Sequence, residues 1–247
     1  MKKPPKTARP LGVRGHQKRS YLVASHKNGG EMFVESKHEH TTMLALDVDP
    51  RTRSIHPQPF TVRLDLEKIF PTRTEAIQAE PRRRIQAVKG PHEEWIYTPD
   101  FLVELTSPIP LVVEPKSSRE IAKIGSALER RGRVLNNLGY RFLVVSSAEV
   151  EQEGLHRNLA TMRDAMQYRR DNDTTQLFKH LAEIVTRHHT AFSLGAIFTQ
   201  VPHEAIYLAL ISGVFACDLR AGPISVNTKL WPAHGDLSHL QLLNLET

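Results

Sequence analysis

Hydrophobic and polar positions divide the chain into two differently patterned halves. Between residues 31 and 46, Met32, Phe33, Met43, Leu44 and Leu46 fit a helix that becomes more buried toward its end, and Asp49-Pro50 stops it. Residues 59–66 (PFTVRLDL) alternate and are partly β-branched, which predicts a strand. Residues 67–93 are polar, basic and broken by Pro71, Pro81 and Pro91, so a long loop or insertion is expected, with a short helix at 74–80. Three strand-like runs follow, at 95–105, 111–116 and 140–146. Residues 106–110 (TSPIP) make a short connection suited to a hairpin between the first two. Residues 118–138 between the second and third predict a helix, because Ser117 and Glu120 have capping-box spacing and Gly139 stands where a left-handed C-terminal cap belongs. Strand–helix–strand implies a parallel crossover, and the preceding hairpin makes the sheet mixed. A helix at 155–169 closes this half.

The polar seam at 169–174 predicts a domain boundary. Beyond it, Leu177, Phe178, Leu181, Ile184 and Val185 recur at helical spacing. A short helix at 193–198, a third at 203–214 behind Pro202, and strands at 215–218 and 223–226 joined through 220–223 complete a winged-helix pattern. The expected architecture is α/β: a mixed sheet flanked by helices over 29–170, then a small winged-helix-like domain over 171–247. Residues 1–28 carry no apolar periodicity and read as a flexible basic arm.

Charge sharpens the picture. The chain has 247 residues and a net charge of +6, which suits a polyanionic partner such as DNA. Lys2, Lys3, Lys6, Arg9, Arg14, Lys18, Arg19 and Lys27 all precede the first acidic residue, Glu31, and a second basic knot joins Arg82, Arg83, Arg84 and Lys89. Lys18, Arg19 and the second knot are the candidate phosphate contacts. Their affinity would be salt-dependent and indifferent to sequence. No apolar run reaches the roughly 20 residues that span a bilayer, so no membrane partner is expected. A single cysteine, Cys217, fits a reducing, cytoplasmic setting.

The candidate chemistry lies at Thr98-Pro99-Asp100 and Glu114-Pro115-Lys116. Alternation along a strand puts Glu114 and Lys116 on one face, and Asp100 on the neighbouring strand can come alongside. Two carboxylates brought together call for a cation, and hard oxygen donors select Mg²⁺ or Mn²⁺. Lys116 is then placed to position or activate water and to offset charge at phosphorus. Pro115 removes a ladder donor, so the strand is expected to bulge, end or lie at an edge there. His38 and His40 flank Glu39 but project to different sides of a helix, which argues against a shared metal. The chain has no Gly-rich phosphate loop, so ATPase chemistry of its own is not expected.

This layout resembles the PD-(D/E)xK nuclease superfamily and, within it, the TnsA-type transposon endonucleases. Residues 39–50 (EHTTMLALDVDP) and 55–60 (IHPQPF) are similar to that family's acidic helix, its Asp-x-Asp-Pro exit and its Gln-Pro strand start. The resemblance covers about residues 30–150 and implies a restriction-endonuclease-like fold with a catalytic, metal-binding Glu on the helix, carried onto Glu39 with Glu35, one helical turn earlier on the same face, as the alternative. Gln58 would line the site. The metal ligands would be Glu39, Asp100 and Glu114, with Lys116 completing the catalytic set. The implied activity is Mg²⁺-dependent cutting of the non-transferred 5′ strands at transposon ends. The implied partners are transposon-end DNA, a TnsB-like DDE transposase and a TnsC-like AAA+ ATPase in a bacterial cytoplasm. The alternatives are a stand-alone restriction or repair nuclease of the same fold and a non-catalytic winged-helix DNA-binding adaptor.

Overall fold

The computed structural model describes residues 7–8, 21–28, 30–79 and 95–246, excluding the side chain of Asp171. It is a mixed α/β protein that divides into two compact units. The first comprises the described residues up to His40 together with Arg53–Ser147, and the second comprises Thr41–Thr52 with Ala148–Glu246. The division after Ser147 falls earlier than the expected seam at 170/171.

The first unit opens with strands β1 (Tyr21–Ser25) and β2 (Gly30–Val34), an antiparallel hairpin in place of the expected arm end and helix start. The missed signal is alternation: Val23, Ser25, Met32 and Val34 are buried while Leu22, Ala24, Glu31 and Phe33 face out. Helix α1 (Lys37–Val48) therefore begins six residues later than expected. Next come β3 (Thr52–Pro57), β4 (Thr61–Arg63), β5 (Lys68–Phe70) and α2 (Arg73–Ala79). The tight turn after Arg63 uses Glu67 at φ 48°, and β5 occupies ground expected to be loop.

The expected strand over 95–105 is two strands, β6 (Ile96–Tyr97) and β7 (Phe101–Leu105), separated by Thr98-Pro99-Asp100. They join different sheets. β6 pairs with β4 in the order β5-β4-β6, whereas β7 lies in the order β3-β7-β8-β9. Strand β8 (Leu111–Lys116) is antiparallel to β7 and parallel to β9 (Arg141–Ser146), so this sheet is mixed. Helix α3 (Ser118–Asn137) makes the crossover with its capping box formed, and Gly139 adopts the left-handed conformation at φ 85°. Pro115 does not break β8: it keeps register with Val145, while pairing to β7 stops at Val113. Its missing N–H is tolerated because β7 no longer pairs there.

The core around β4 joins Phe60, Val62, Leu64, Tyr97, Val112, Val134 and Leu135. Arg63 is buried nearby, held by both carboxylate oxygens of Asp65 at 2.8 Å and by the Ala76 carbonyl at 3.0 Å, with its guanidinium over the Trp95 ring.

The second unit contains α1 from Thr41 onward, α4 (Ser147–Val150) from Ala148, α5 (Leu155–Asp171), α6 (Thr175–Arg187) and α7 (His203–Ile211). Its sheet runs β10 (Phe192–Ser193), β12 (Lys229–Pro232), β11 (Phe215–Ala216), antiparallel throughout. The helix expected at 193–198 reduces to one 3-10 turn, Leu194–Ala196, behind β10. The strand expected at 223–226 does not form because other groups take its backbone. Ile224 N–H donates to the buried Asn158 Oδ1 at 3.0 Å, and the Val226 carbonyl accepts from Gly195 N at 2.7 Å and Ser193 Oγ at 2.6 Å. β12 pairs with β11 instead. Helix α5 packs against α7, which ties residues before the expected boundary to this unit.

Gly154 caps the start of α5 at φ 84°, and a Cβ there would lie 2.3 Å from Pro223 N. Gly154→Ala should therefore lower stability by more than about 1 kcal/mol, read as a lower urea midpoint. An unchanged midpoint would show that the close approach to Pro223 is not maintained in solution.

Candidate active site

Antiparallel pairing of Phe101 with Val113 puts Asp100, one residue before β7, level with Glu114 on β8. Glu114 and Lys116 share a face of β8, as alternation requires. Lys116 Nζ bridges the two carboxylates, 3.0 Å from Asp100 Oδ2 and 2.9 Å from Glu114 Oε1. Three of the predicted site residues are thus in direct contact.

The backbone around Asp100 is fixed from a second direction. Gln58 N–H donates to the Asp100 carbonyl at 2.9 Å, and the Gln58 carbonyl accepts from Ala8 N at 2.8 Å. Gln58 is buried and holds φ 43°, a left-handed conformation that costs a non-glycine residue energy. The expectation that Gln58 lines the site narrows here to a main-chain contact with Asp100.

Glu39 stands in the first turn of α1, not midway along a longer helix. Its Oε2 accepts from Glu35 N–H at 2.8 Å and its Oε1 from Ser36 Oγ at 3.0 Å, while Ser36 Oγ accepts from Glu39 N–H at 3.1 Å. This reciprocal arrangement caps the helix start. Glu35 precedes the helix, so it does not share a helical face with Glu39. Burial raises the Glu39 pKa, partly offset by the hydrogen bonds from Glu35 N–H and Ser36 and by Lys116, whose charge reaches it. His40 stacks on Tyr21, with ring centroids 5.1 Å apart.

Two residues that sequence reasoning missed complete the group. Tyr97 OH donates to Glu114 Oε2 at 2.7 Å, and Arg131 Nη1 donates to Glu114 Oε1 at 2.9 Å. Arg131 had a legible signal: it lies on the inward face of α3 with Leu128, Val134 and Leu135, where an apolar residue belongs. A charge on that stripe implies a buried acid opposite. Tyr97 carried no comparable sign.

The electrostatics divide the carboxylates. Burial, then Glu114 and Glu39, push Asp100 up to about 8, against the lowering pull of Lys116. Burial opposes the Lys116 ammonium, but Asp100 and Glu114 outweigh it and hold the Lys116 pKa above the usual range. Burial and Glu114 together raise the Tyr97 phenol well above its ordinary value. Among the described residues, no three His, Cys, Asp or Glu side chains form a ready metal cage. The donor set still suits a hard cation: Asp100 and Glu114 are adjacent oxygen donors, and Asp100 resists ionisation beside its acidic neighbours. Arg82, Arg83, Arg84, Lys89, Lys18 and Arg19 lie outside the described residues.

No protein-family model matches the chain, and no curated protein matches it. Among the described residues, no helix is long and apolar enough to cross a membrane.

The Asp100 carboxyl moves from an ordinary 3.8 to about 8 on folding, so between those values the folded chain holds the extra proton. Its contribution to stability therefore falls as pH rises through that window. Relative to wild type, Asp100→Asn should gain stability from about pH 4 to about pH 8 in urea titrations. A difference that does not vary with pH would refute the raised Asp100 value.

Proposed function

We propose that this protein is a metal-dependent DNA endonuclease of the PD-(D/E)xK kind. The observation that carries the reading is Lys116 Nζ set between Asp100 and Glu114 on neighbouring strands of a mixed sheet. Asp100 and Glu114 would hold the cation. Glu39, within electrostatic reach of both Asp100 and Lys116, would join them on leaving its cap. A bound Mg²⁺ would polarise the phosphodiester and lower the pKa of the attacking water. Lys116, kept protonated by its neighbours, is a poor general base. Its part is to donate hydrogen bonds and offset negative charge growing at phosphorus. Asp100, with its pKa near 8, must lose its proton before it serves as a ligand.

Within that class the TnsA-like reading is our preferred one. The acidic start of α1 and the Gln58-Pro59 turn that fixes Asp100 support it. The proposed task is to cut the non-transferred strands at transposon ends beside a TnsB-like transposase under a TnsC-like AAA+ ATPase. The helix, strand, turn, helix, strand, strand order of the second unit supports a winged-helix reading for it. Yet α7, which takes the place of the groove-reading helix, is buried from Ala205 to Leu210. A base-reading adaptor is therefore the weaker alternative, and sequence choice is left to the transposase.

Purified protein should nick transposon-end DNA with Mg²⁺ when its transposase is present. Asp100→Ala should abolish nicking, and Lys116→Ala should slow it by roughly 10²–10³-fold. Unchanged nicking by Asp100→Ala would overturn the site. Equal cutting without the transposase would favour a stand-alone nuclease.

The nicking rate should also rise with pH through about 8 as Asp100 loses its proton. Since cation and proton compete for that carboxylate, raising Mg²⁺ should move the midpoint to lower pH. A midpoint indifferent to Mg²⁺ would remove Asp100 from the ligand set.

A further inference from the structure

Arg131 occupies a core position on α3 and is only 9% exposed. Burying a guanidinium there is costly unless a carboxylate meets it. Its Nη1 meets Glu114 Oε1 at 2.9 Å, the same oxygen that faces Lys116 Nζ at 2.9 Å. Its guanidinium lies 4.5 Å from the centre of the Tyr97 ring, and Tyr97 OH takes the other oxygen, Oε2. Glu114 is therefore gripped from α3, β6 and β8 at once, and it is only 2% exposed.

This arrangement bears on the freedom of Lys116. In the metal-free site, were Lys116 the sole counter-charge of a carboxylate this buried, its turning away would strand that carboxylate, which is strongly unfavourable. With Arg131 in place, Glu114 keeps a cation when Lys116 leaves. The guanidinium is permanently charged, planar and stacked on Tyr97, so it stays put while the flexible lysine moves.

We propose that Arg131 is a positioning residue that holds Glu114 from helix α3 and so frees Lys116 to serve Asp100 and the phosphodiester being cut. The inference rests on the nuclease reading but makes a separate claim about the chain's own side chains. Two measurements test it in the full-length protein. The first is single-turnover nicking with the transposase. Arg131→Met should lower the cutting rate by about 10–100-fold, the range for residues that orient a metal ligand, with DNA affinity unchanged and partial rescue in Arg131→Lys. The second needs neither metal nor DNA: the rate at which acetic anhydride modifies Lys116, read by mass spectrometry. Losing Arg131 should draw Lys116 more tightly onto Glu114 and slow its modification, whereas mere loosening of the fold would speed it.

Unchanged cutting, or faster modification of Lys116, in Arg131→Met would overturn the proposal. Should that variant not fold, Arg131→Gln and Arg131→Lys carry the same two readouts. If wild type does not nick at all while Lys116 modification slows as expected, the nuclease reading fails and the clamp on Glu114 stands.

Discussion

A carboxylate sunk in the middle of a sheet must have positive charge brought to it, and much of this protein's first unit is arranged around that requirement. Glu114 is on β8, between β7 and β9, where water cannot solvate it. Arg131 reaches it from the crossover helix, Lys116 from two residues along the same strand, and Tyr97 from the adjoining sheet. The capping box and Gly139 define where α3 starts and stops, and so where Arg131 falls. Breaking the strand at Thr98-Pro99-Asp100 lets Tyr97 and Asp100 serve different sheets yet flank the same glutamate. The fold and the charge arrangement are therefore parts of one solution.

Asp100 is the member left under tension. It shares Lys116 with Glu114, lies near Glu39, and has its main chain pinned by a strained Gln58. Burial and two acidic neighbours disfavour its charged form, a penalty that nearby positive charge relieves. Glu39 shows the complementary device. Its carboxylate is engaged with Ser36 and the Glu35 amide, so a charged group is held close to the site within a helix cap.

The second unit applies the same economy of backbone to a different end. Asn158, fully buried, takes the Leu219 and Gly222 carbonyls and the Ile224 amide, which holds the segment between β11 and β12 away from the sheet. Arg51 pairs with Asp49 at 2.7 Å and also donates to the Leu243 carbonyl, tying the chain's last residues to the α1 segment. Helix α7 is apolar and buried from Ala205 through Leu210. Only its first turn, at His203 and Glu204, is exposed.

Local chemistry was legible in the sequence wherever one element sufficed to determine it. The capping box at Ser117 and Glu120, the left-handed Gly139, strands β8 and β9, helix α6, and the shared face of Glu114 and Lys116 all follow from spacing alone, because periods of two and 3.6 are properties of the backbone. Register brought Asp100 level with Glu114, and that also was foreseeable from the hairpin. What the sequence could not determine depends on partners distant along the chain. The hairpin of β1 and β2 replaced the expected arm end and helix start because Val23 and Met32 found a core to enter. The strand expected at 223–226 gave way to β12 because Asn158, 66 residues earlier, had already claimed the Ile224 amide. Arg131 and Tyr97 joined the site only once α3 and β6 were packed over β8. Hydrogen bonding and charge compensation in a buried place are satisfied by whichever group arrives in space, and only the tertiary structure decides which one that is.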